Sequence, residues 1–437
     1  MHNKKIGFIF LLLIIFSVTS TCIFASTPTI SSQSGIAIDA DSGIVLYGKG
    51  INEKVYPAST TKILTAILAL ENLSLDKSVV VSKTAISIPW DSSSIYLKEG
   101  EVITVKELLY GLLLESGNDA ANVLAESVSG SISEFVKLMN SKLSELGCNN
   151  THFANAHGYS DPNHYTTAQD MAKLFRYCIK NDTFLEIIST KTYTVNETNK
   201  TKTKRYFSNT NRLIQKKSDS IYSRYYEYCI GGKTGYTDEA GKTLVTYGKK
   251  DNKNVIVTVF NGSDINGKDG RYTDAINLFE YSFNNFEKQK ITKSEEYSFS
   301  YINLENRLKY WVYMDGDLEL LLKKSDNVDE LSYAINIDDS RLPETVDSQK
   351  DIVVGSIKFK MNLNNELYET QKDLKLGKIE TISIYESSNY YIILIPIIVL
   401  LILVIFIVIK KSHKKAHSRL DKEIKDYTKS TRKNRRR

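Results

Sequence analysis

Ser59 and Lys62 place a hydroxyl and an amine three positions apart at the start of a strongly apolar segment. On a helix this spacing stacks the two side chains on one face, within hydrogen-bond reach of each other. A neutral lysine can take the serine proton, and burial together with a second nearby cation would lower the pKa of the amine accordingly. Because a helix N-terminus adds backbone N–H donors around Ser59, the pair predicts a nucleophile for acyl transfer.

Two further motifs carry groups that bind a peptide. Ser116 and Asn118 flank a glycine, and the tight turn that glycine permits presents a hydroxyl and a carboxamide. On a predicted strand, Lys233 and Thr234 can bind a substrate carboxylate, while Gly235 lets a substrate backbone approach the strand edge. With the Ser–Lys pair, these motifs supply a nucleophile, a base and a carboxylate-binding group.

Each motif has an ordinary structural explanation when it stands alone. A Ser–Lys pair usually lies on a solvated helix face, S-x-N usually marks a turn, and K-T-G can end a strand. The first two spacings recur elsewhere, at Ser74/Lys77, Ser412/Lys415, Ser430/Lys433, Ser282/Asn284 and Ser387/Asn389, whereas K-T-G occurs once. The three motifs occur together in this order, and each lies in the predicted local structure that it needs. This combination favours the catalytic interpretation.

The elements that must position these motifs follow from apolar spacing and capping signals. Residues 35–49 alternate about the turn at 39–43 and predict a hairpin, and the dense apolar run after Ser59 predicts a central helix. The remaining predictions are a helix with a capping box from Thr104 to Glu115, a loop at Ser116–Asp119, a capped helix from Thr167, strands at Ile230–Tyr236, Thr243–Tyr247 and Val255–Phe260, and a helix around Asp274–Phe283. We therefore expect an α/β (α+β) domain in which the early hairpin joins the late strands in one antiparallel sheet.

The helical pattern stops near residue 288 and short alternating stretches follow. Lys309–Met314 and Leu318–Leu322 flank Asp315-Gly316 and predict a hairpin. Because 437 residues suit a catalytic domain with a smaller module, we predict a catalytic domain at 26–288 and an all-β domain at 289–385.

Both ends of the chain carry apolar segments. Lys4 and Lys5, a short apolar run and small residues up to Ala25 predict a signal peptide at 1–25, with a permanent N-terminal membrane helix as the alternative. Near the other end, residues 391–409 have no charge and predict one transmembrane helix. A buried core helix is the alternative there, and the Lys410-Lys411 stop disfavours it.

The positive charge of the protein is concentrated after this apolar segment. Residues 410–437 carry 13 Lys/Arg and 3 Asp/Glu, and the signal adds +2, so the total of +6 leaves −6 for residues 26–409. A basic run directly after a span predicts a cytoplasmic tail and an extracytoplasmic catalytic domain. Nucleic-acid binding is the usual alternative for such a run, and membrane topology makes it unnecessary.

Other reactive residue types are interpreted as structural. Cys148, Cys178 and Cys229 are odd in number after the signal and lack metal-ligand spacing, so we expect small buried hydrophobic side chains. His157, His164 and Asp170 are also expected to be structural, and neither a metal nor a cofactor is predicted.

The motifs and their surroundings resemble the D-alanyl-D-alanine carboxypeptidase family of low-molecular-weight penicillin-binding proteins, which have the penicillin-recognising fold. The matching segments are Tyr56-Pro57-Ala58-Ser59-Thr60-Thr61-Lys62, Ser116-Gly117-Asn118-Asp119-Ala120 and Lys233-Thr234-Gly235-Tyr236-Thr237, with further support from Phe153–Gly158, His164–Ala172 and Asn209-Thr210-Asn211. The resemblance covers about residues 35–285. The predicted all-β domain is similar in position and character to the family's C-terminal domain.

The resemblance implies roles for the reacting groups. Ser59 would be the acylated nucleophile and Lys62 its general base, while Ser116 would relay a proton to the leaving D-alanine. The backbone N–H groups of Ser59 and Tyr236 would form the oxyanion hole, which stabilises the tetrahedral intermediate. Water would then release the acyl-enzyme.

The resemblance also implies the binding groups and the partners. Asn118 would hold the substrate amide, and Lys233 with Thr234 would bind the terminal carboxylate beside Gly235. The expected partners are peptidoglycan stem peptides ending in D-Ala-D-Ala, β-lactam antibiotics and the membrane, without nucleic acid. A full apolar span in place of a surface-lying amphipathic helix departs from better-known members and changes only the anchoring.

Two rival functions are weighed against this one. A β-lactamase would need a glutamate that activates a deacylating water, and no Glu-x-x-x-Asn segment is recognisable after Ser116. A non-catalytic penicillin sensor would need a folded cytoplasmic domain, and residues 410–437 are too few and too charged to form one.

Overall fold

The computed structural model describes residues 27–216, 224–264, 267–303, 305, 307–323, 325–326, 328–346, 351–363, 366–382 and 394–415. The predicted signal peptide at 1–25 and most of the basic tail lie outside the described residues. The chain divides into two compact units. The first contains the described residues up to Thr292 with Asp317–Tyr333 and Phe359–Gln371, and the second contains Lys293–Gly316, Ala334–Lys358 and the described residues from Lys372 onward.

The helices are α1 Lys62–Asn72, α2 Val105–Leu114, α3 Asn118–Ser129, α4 Ile132–Glu145, α5 Ala168–Cys178, α6 Asp182–Ser189, α7 Gly270–Asn285 and α8 Leu394–Lys415. The strands up to Gly262 are β1 Ser34–Asp39, β2 Val45–Lys49, β3 Ser78–Val80, β4 Val102–Thr104, β5 Thr192–Val195, β6 Arg205–Ser208, β7 Cys229–Thr237, β8 Gly241–Lys250 and β9 Lys253–Gly262. The later strands are β10 Glu287–Thr292, β11 Ser298–Asn303, β12 Leu308–Met314, β13 Leu318–Leu322, β14 Val328–Ile337, β15 Val353–Leu363 and β16 Glu366–Thr381.

A five-stranded sheet in the order β2-β1-β9-β8-β7 forms the framework of the first unit. The neighbouring strands whose register is known run antiparallel; Ala37 pairs with Val257 across β1 and β9. This order confirms the prediction that the early hairpin joins the late strands. It leaves β7, which carries the K-T-G motif, at one edge of the sheet, where an extended peptide can add.

Helix α1 lies in the interior of the first unit. Ile63, Leu64 and Ala66 are fully buried and belong to one large apolar cluster with α2, α3 and α5. Burial of apolar side chains on most faces fixes the helix, and thereby its first turn, within the domain core. The prediction of a central helix is confirmed.

Capping side chains set the starts of two helices as the sequence predicts. At α2, Thr104 accepts from the N–H of Glu107 and the Glu107 carboxylate accepts from the N–H of Thr104, which completes a capping box. At α5, Thr167 caps the N–H of Asp170. The predicted loop at Ser116–Asp119 is wrong in its second half, because Asn118 and Asp119 already form the first turn of α3.

The strands after α7 confirm an all-β region and correct one pairing. Strands β12 and β13 occur as predicted, but they do not form a hairpin across Asp315-Gly316. Strand β12 pairs with β11 and with β16, so both of its edges are occupied, and β13 pairs with β10 instead. The apolar side chains of β15 alternate toward the core, since Ile357, Phe359, Met361 and Leu363 are buried.

Helix α8 contains 22 residues, of which an 18-residue stretch has a mean hydropathy of 2.9, and its side chains are unburied. Among the described residues it is the helix whose length and composition suit a membrane crossing. Residues 391–393 of the predicted span lie outside the described residues.

Candidate active site

The candidate nucleophile Ser59 lies in a short 3-10 helix, Ala58–Thr61, that leads directly into α1. Ala58 has a positive φ of 48°, a left-handed conformation that is unfavourable for a residue with a Cβ. Two hydroxyls support this turn, because Thr60 donates to the Pro57 carbonyl at 2.7 Å and Thr61 donates to the Ala58 carbonyl at 2.9 Å. The half-buried Ser59 side chain is thus presented on a turn that its neighbours hold in place.

Lys62 is fully buried, and its amine lies within hydrogen-bond distance of three partners. Its Nζ lies 3.0 Å from Ser59 Oγ, 2.6 Å from Asn118 Oδ1 and 2.7 Å from the His157 carbonyl oxygen. These contacts join two of the predicted motifs, S-x-x-K and S-x-N, in one hydrogen-bonded cluster. The direct contact with Ser59 is the geometry that proton transfer requires.

The electrostatic surroundings of Lys62 favour its neutral form. Burial lowers the pKa of the amine well below its ordinary value, and the charge of Lys233 lowers it further. Asp119 opposes the shift less strongly. The shift increases the fraction of Lys62 that is neutral and can therefore accept a proton.

Histidine side chains stabilise the turn without titrating near neutrality. The Ala154 N–H donates to Nδ1 of His164, so Nε2 carries the proton and donates to Thr61 Oγ1 at 2.7 Å. Burial lowers the pKa of His164 to about 3 and that of His157 to about 3. The sequence analysis interprets both as structural, and the structure places them closer to the nucleophile than the sequence indicates, since His157 also supplies a carbonyl to Lys62.

Ser116 lies at the end of α2 with a positive φ of 66°. Its hydroxyl is buried and has no hydrogen-bond partner among the described residues. An unsatisfied buried hydroxyl is rare in folded proteins and needs an explanation. Asn118, two positions later, bonds to Lys62, so the unbonded Ser116 hydroxyl lies in the same turn as a residue of the site.

Asp119 connects the S-x-N turn to the loop at residues 93–97. Its carboxylate accepts from the hydroxyl of Ser94 at 2.6 Å and from the N–H groups of Ile95 and Leu97 at 3.1 Å and 3.0 Å. In return, the Asn118 N–H donates to the Ser93 carbonyl at 2.8 Å. This loop is therefore a fixed part of the wall beside Asn118.

The K-T-G motif lies on the edge strand β7, directly beside Ser59. A Cβ added to Gly235 would lie 2.9 Å from the Ser59 nitrogen and 2.4 Å from Thr243 Oγ1, so only glycine permits this approach. Two positions before it, Lys233 is buried, and its Nζ donates to the Thr234 carbonyl at 2.8 Å. Tyr236 is 58% exposed at the strand edge and donates its hydroxyl to a neighbouring carboxylate.

Lys233 shares its surroundings with a second cation that sequence reasoning missed. Burial, followed by the charge of Arg271, lowers the pKa of Lys233 to about 7, while Glu115 opposes the shift. Arg271 donates to the Gly235 carbonyl at 3.0 Å and pairs with Asp269. No motif marked Arg271, because it lies in the first turn of α7, far from β7 along the chain.

Other candidate residues do not join the site. Asp170 accepts from the Asn150 N–H at 2.8 Å and the Thr151 hydroxyl at 2.9 Å, which is a structural role. Cys148, Cys178 and Cys229 are buried and unpaired, as the sequence predicts. Within the described part of the chain, no group of three His, Cys, Asp or Glu side chains could hold a metal ion.

The fold and this site define a serine peptidase of the penicillin-recognising class, in which a serine and a buried lysine lie beside an edge strand. A family profile described as D-alanyl-D-alanine carboxypeptidase, peptidase S11, matches residues 22–264. The chain belongs to this family.

Relatives with known sequences and structures are similar over the same region. The D-alanyl-D-alanine carboxypeptidase DacF of Bacillus subtilis is 33% identical over 314 residues, which cover 71% of this chain and 77% of the relative. A D-alanyl-D-alanine carboxypeptidase structure from Mycobacterium tuberculosis has a TM-score of 0.54 and 32% identity, covering 60% of this chain and 94% of that one. The DD-transpeptidase of Streptomyces K15 has a TM-score of 0.54 and 34% identity, covering 60% and 100%.

Proposed function

We propose that this protein removes the terminal D-alanine from peptidoglycan stem peptides that end in D-Ala-D-Ala, through an acyl-enzyme on Ser59. The observation that carries the proposal is the 3.0 Å contact between Ser59 Oγ and Nζ of the buried Lys62. Burial and the Lys233 charge lower the pKa of Lys62, which allows it to act as the general base. Membership of the D-alanyl-D-alanine carboxypeptidase family supports the substrate class.

In the acylation step, Ser59 Oγ forms a bond to the penultimate D-alanine carbonyl while its proton passes to Lys62. The tetrahedral intermediate carries its negative charge toward the backbone N–H groups of Ser59 and Tyr236, the proposed oxyanion hole. The C–N bond then breaks, and the leaving D-alanine nitrogen takes the proton through Ser116, whose buried hydroxyl has no partner in the described chain. Water attacks the acyl-enzyme and restores Ser59.

Substrate binding is proposed to use the edge of β7 and the S-x-N turn. Asn118, which bonds to Lys62 at 2.6 Å, would hold the substrate amide, and Lys233 with Thr234 would bind the terminal carboxylate. Arg271 adds positive charge behind Lys233 and so favours an anion at this position. Gly235 keeps the strand close enough to Ser59 for the scissile bond to reach both.

Penicillin-type compounds should acylate the same serine, because a β-lactam presents a reactive amide and a carboxylate at a similar separation. The acylation of Ser59 by penicillin is thus part of the proposal. It supplies a second assay that does not depend on the release of D-alanine.

The test is incubation of the purified protein with a peptide ending in D-Ala-D-Ala, followed by measurement of released D-alanine. Wild type should release D-alanine and Ser59→Ala should not, and only the wild type should be labelled covalently by a fluorescent penicillin. Ser74→Ala is the matched control, because Ser74 and Lys77 repeat the S-x-x-K spacing elsewhere. Equal labelling of wild type and Ser59→Ala would contradict the assignment of Ser59 as the nucleophile.

For the cellular arrangement, we propose a signal peptide at 1–25, a catalytic domain at 26–288 and an all-β domain at 289–385 outside the cytoplasmic membrane. A span at 391–409 and a cytoplasmic tail at 410–437 complete the proposal. The apolar helix α8 and the basic residues after it support it. Protease added to intact spheroplasts should digest the ectodomain and spare a C-terminal tag; loss of the tag with an intact ectodomain would overturn this topology.

A further inference from the structure

Thr210 has an exposed side chain on a tightly held backbone. Its neighbours Asn209 and Asn211 are 2% and 0% exposed, whereas Thr210 belongs to the exposed class. The Asn209 amide donates to the carbonyls of Ile188 and Thr190 at 3.1 Å and 3.0 Å. The two asparagines therefore fix the segment, and the threonine between them is free to contact a ligand.

Backbone bonds connect Thr210 to both sides of the candidate site. Its N–H donates at 3.3 Å to the carbonyl of Leu114, which ends α2 just before the S-x-N turn. Its own carbonyl accepts from the hydroxyl of Tyr272 at 3.0 Å. Tyr272 follows Arg271, which donates to the Gly235 carbonyl, so the first turn of α7 holds both Thr210 and the K-T-G strand.

The side chain of Thr210 meets the threonine of the K-T-G motif. Thr234 Oγ1 donates to Thr210 Oγ1 at 2.7 Å. Each hydroxyl has one hydrogen, and a carboxylate can only accept. Without substrate, the Thr234 hydrogen is therefore used by Thr210. When a carboxylate binds, Thr234 can turn its hydrogen to the anion while Thr210 reverses and donates to Thr234, so that no bond between the hydroxyls is lost.

We propose that Thr210 is a positioning residue of the carboxylate-binding site and acts through Thr234 to favour substrates with a free C-terminal carboxylate. A Thr234 oxygen that accepts from Thr210 becomes a stronger donor to the anion, because hydrogen bonds in a chain polarise one another. The proposal rests on the proposed function in that Thr234 binds the substrate carboxylate. In this proposal Thr210, a residue outside the three motifs, sets the preference for a free C-terminal carboxylate.

The test compares Thr210→Val, Thr210→Ser and wild type on D-Ala-D-Ala peptides with free and amidated C-termini. Valine keeps the shape and removes the hydroxyl, and serine restores it. Thr194→Val, an exposed threonine on β5, is the matched control for the same change. We expect Thr210→Val to raise KM for the free peptide about twofold, because the Thr210 hydroxyl strengthens the charge-assisted bond from Thr234 to the carboxylate by a fraction of that bond. For Thr210→Val, kcat for the free peptide should stay as in wild type. KM and kcat for the amidated peptide should also be unchanged.

A parallel assay separates this proposal from the carboxypeptidase function itself. Acylation by penicillin and by penicillin methyl ester compares a carboxylate with a neutral ester, and it needs no release of D-alanine. Thr210→Val should slow only the reaction with penicillin, and Thr210→Ser should restore it. Equal effects on acid and ester, or equal losses in the valine and serine variants, would overturn the role of the Thr210 hydroxyl. Wild type that is acylated but releases no D-alanine would count against the proposed function alone.

Discussion

Lys233 lies close enough to Lys62 for its charge to be the strongest influence after burial that lowers the pKa of the Lys62 amine. The two lysines have different proposed tasks, since one binds a carboxylate and the other moves a proton. Because the charge of Lys233 lowers the pKa of Lys62, it favours the neutral form of Lys62 that proton transfer requires. A change at Lys233 should thus alter catalysis even for a ligand that has no carboxylate.

Replacement of Lys233 by alanine should move the acid limb of acylation to higher pH. Removing a nearby positive charge stabilises protonated Lys62, so the pKa of Lys62 rises and less of it is neutral at a given pH. The measurement is the pH profile of acylation by penicillin methyl ester, which has no carboxylate for Lys233 to bind. An acid limb that stays in place or moves to lower pH would show that Lys233 does not influence Lys62.

Recognition of the carboxylate should weaken at alkaline pH in the wild type. Lys233 in the free enzyme has a pKa of about 7, so it loses its charge as the pH rises through this value. We expect kcat/KM for a free-carboxylate peptide to fall above about pH 7, because this ratio reports groups of the free enzyme. An amidated peptide is the control, and a parallel fall for both peptides would contradict this assignment.

Lys62→Ala should abolish acylation by penicillin at neutral pH. It removes the amine that lies 3.0 Å from Ser59 Oγ, and no other described amine bonds to this hydroxyl. We expect a loss of at least about 100-fold, the lower range for a positioned general base. Lys77→Ala, at the equivalent place in the second S-x-x-K sequence, should label like wild type. If Lys62→Ala labels normally, Lys62 has only a structural role.

Gly158→Ala should disrupt the nucleophile turn. An added Cβ would lie 1.8 Å from the Ala58 carbonyl oxygen, and Gly158 also has a positive φ of 87°. Gly147→Ala is the matched control, because Gly147 has a positive φ of 69° with nothing within 4 Å. Both variants should lose about 1 kcal/mol of stability from the backbone conformation, and only Gly158→Ala should also lose penicillin labelling. Comparable labelling of the two would contradict the importance of this contact.

Glu101→Gln should destabilise the first unit, especially near neutral pH. The buried Glu101 carboxylate pairs with Arg205 at 2.8 Å, and hydrogen bonds from Arg205 and others lower its pKa despite the opposing effect of burial. A lowered carboxylate pKa adds stability above its ordinary value of 4.5 and loses it as the pH falls through the folded-state value.

Removing one partner of a buried pair costs roughly 3 kcal/mol or more, so the thermal midpoint of Glu101→Gln should fall clearly at pH 7 and approach that of wild type in acid. Glu134→Gln breaks an exposed pair with Lys137 and serves as the control. A Glu101→Gln midpoint equal to that of the control at pH 7 would refute the contribution of the buried pair.

The sequence predicts those parts of the site that are encoded locally. Ser59 and Lys62 are joined by one helical turn, and the spacing of Ser116 and Asn118 needs only a short turn. The sequence also predicts that the early hairpin and the late strands form one sheet, because apolar alternation marks these strands, but it does not predict their order. By contrast, Arg271, Thr210 and His164 reach the site through long-range packing. The family resemblance includes the segments of Thr210 and His164, but no local pattern predicts that these side chains contact Thr234 and Thr61.

One wrong prediction and one missed feature show where local signals fail. Asp315-Gly316 predicts a hairpin, but a turn signal does not tell which strand edges are already occupied, and β12 is paired on both sides. The positive φ angles of Ala58 and Ser116 give no signal either, because glycine is the residue that marks this conformation in a sequence. Ala58 is held there by its close contact with Gly158, which is distant along the chain.

The close contact between Gly158 and Ala58 has a consequence for how the enzyme matures. The strained turn at Ala58 cannot persist in an isolated peptide, because its supports, His164 and Gly158, come from a segment about 100 positions later in the chain. The nucleophile is therefore assembled only when that segment has docked onto the start of α1. Covalent penicillin labelling then reports completed folding of the domain, and partly folded chains that contain Ser59 should remain unlabelled.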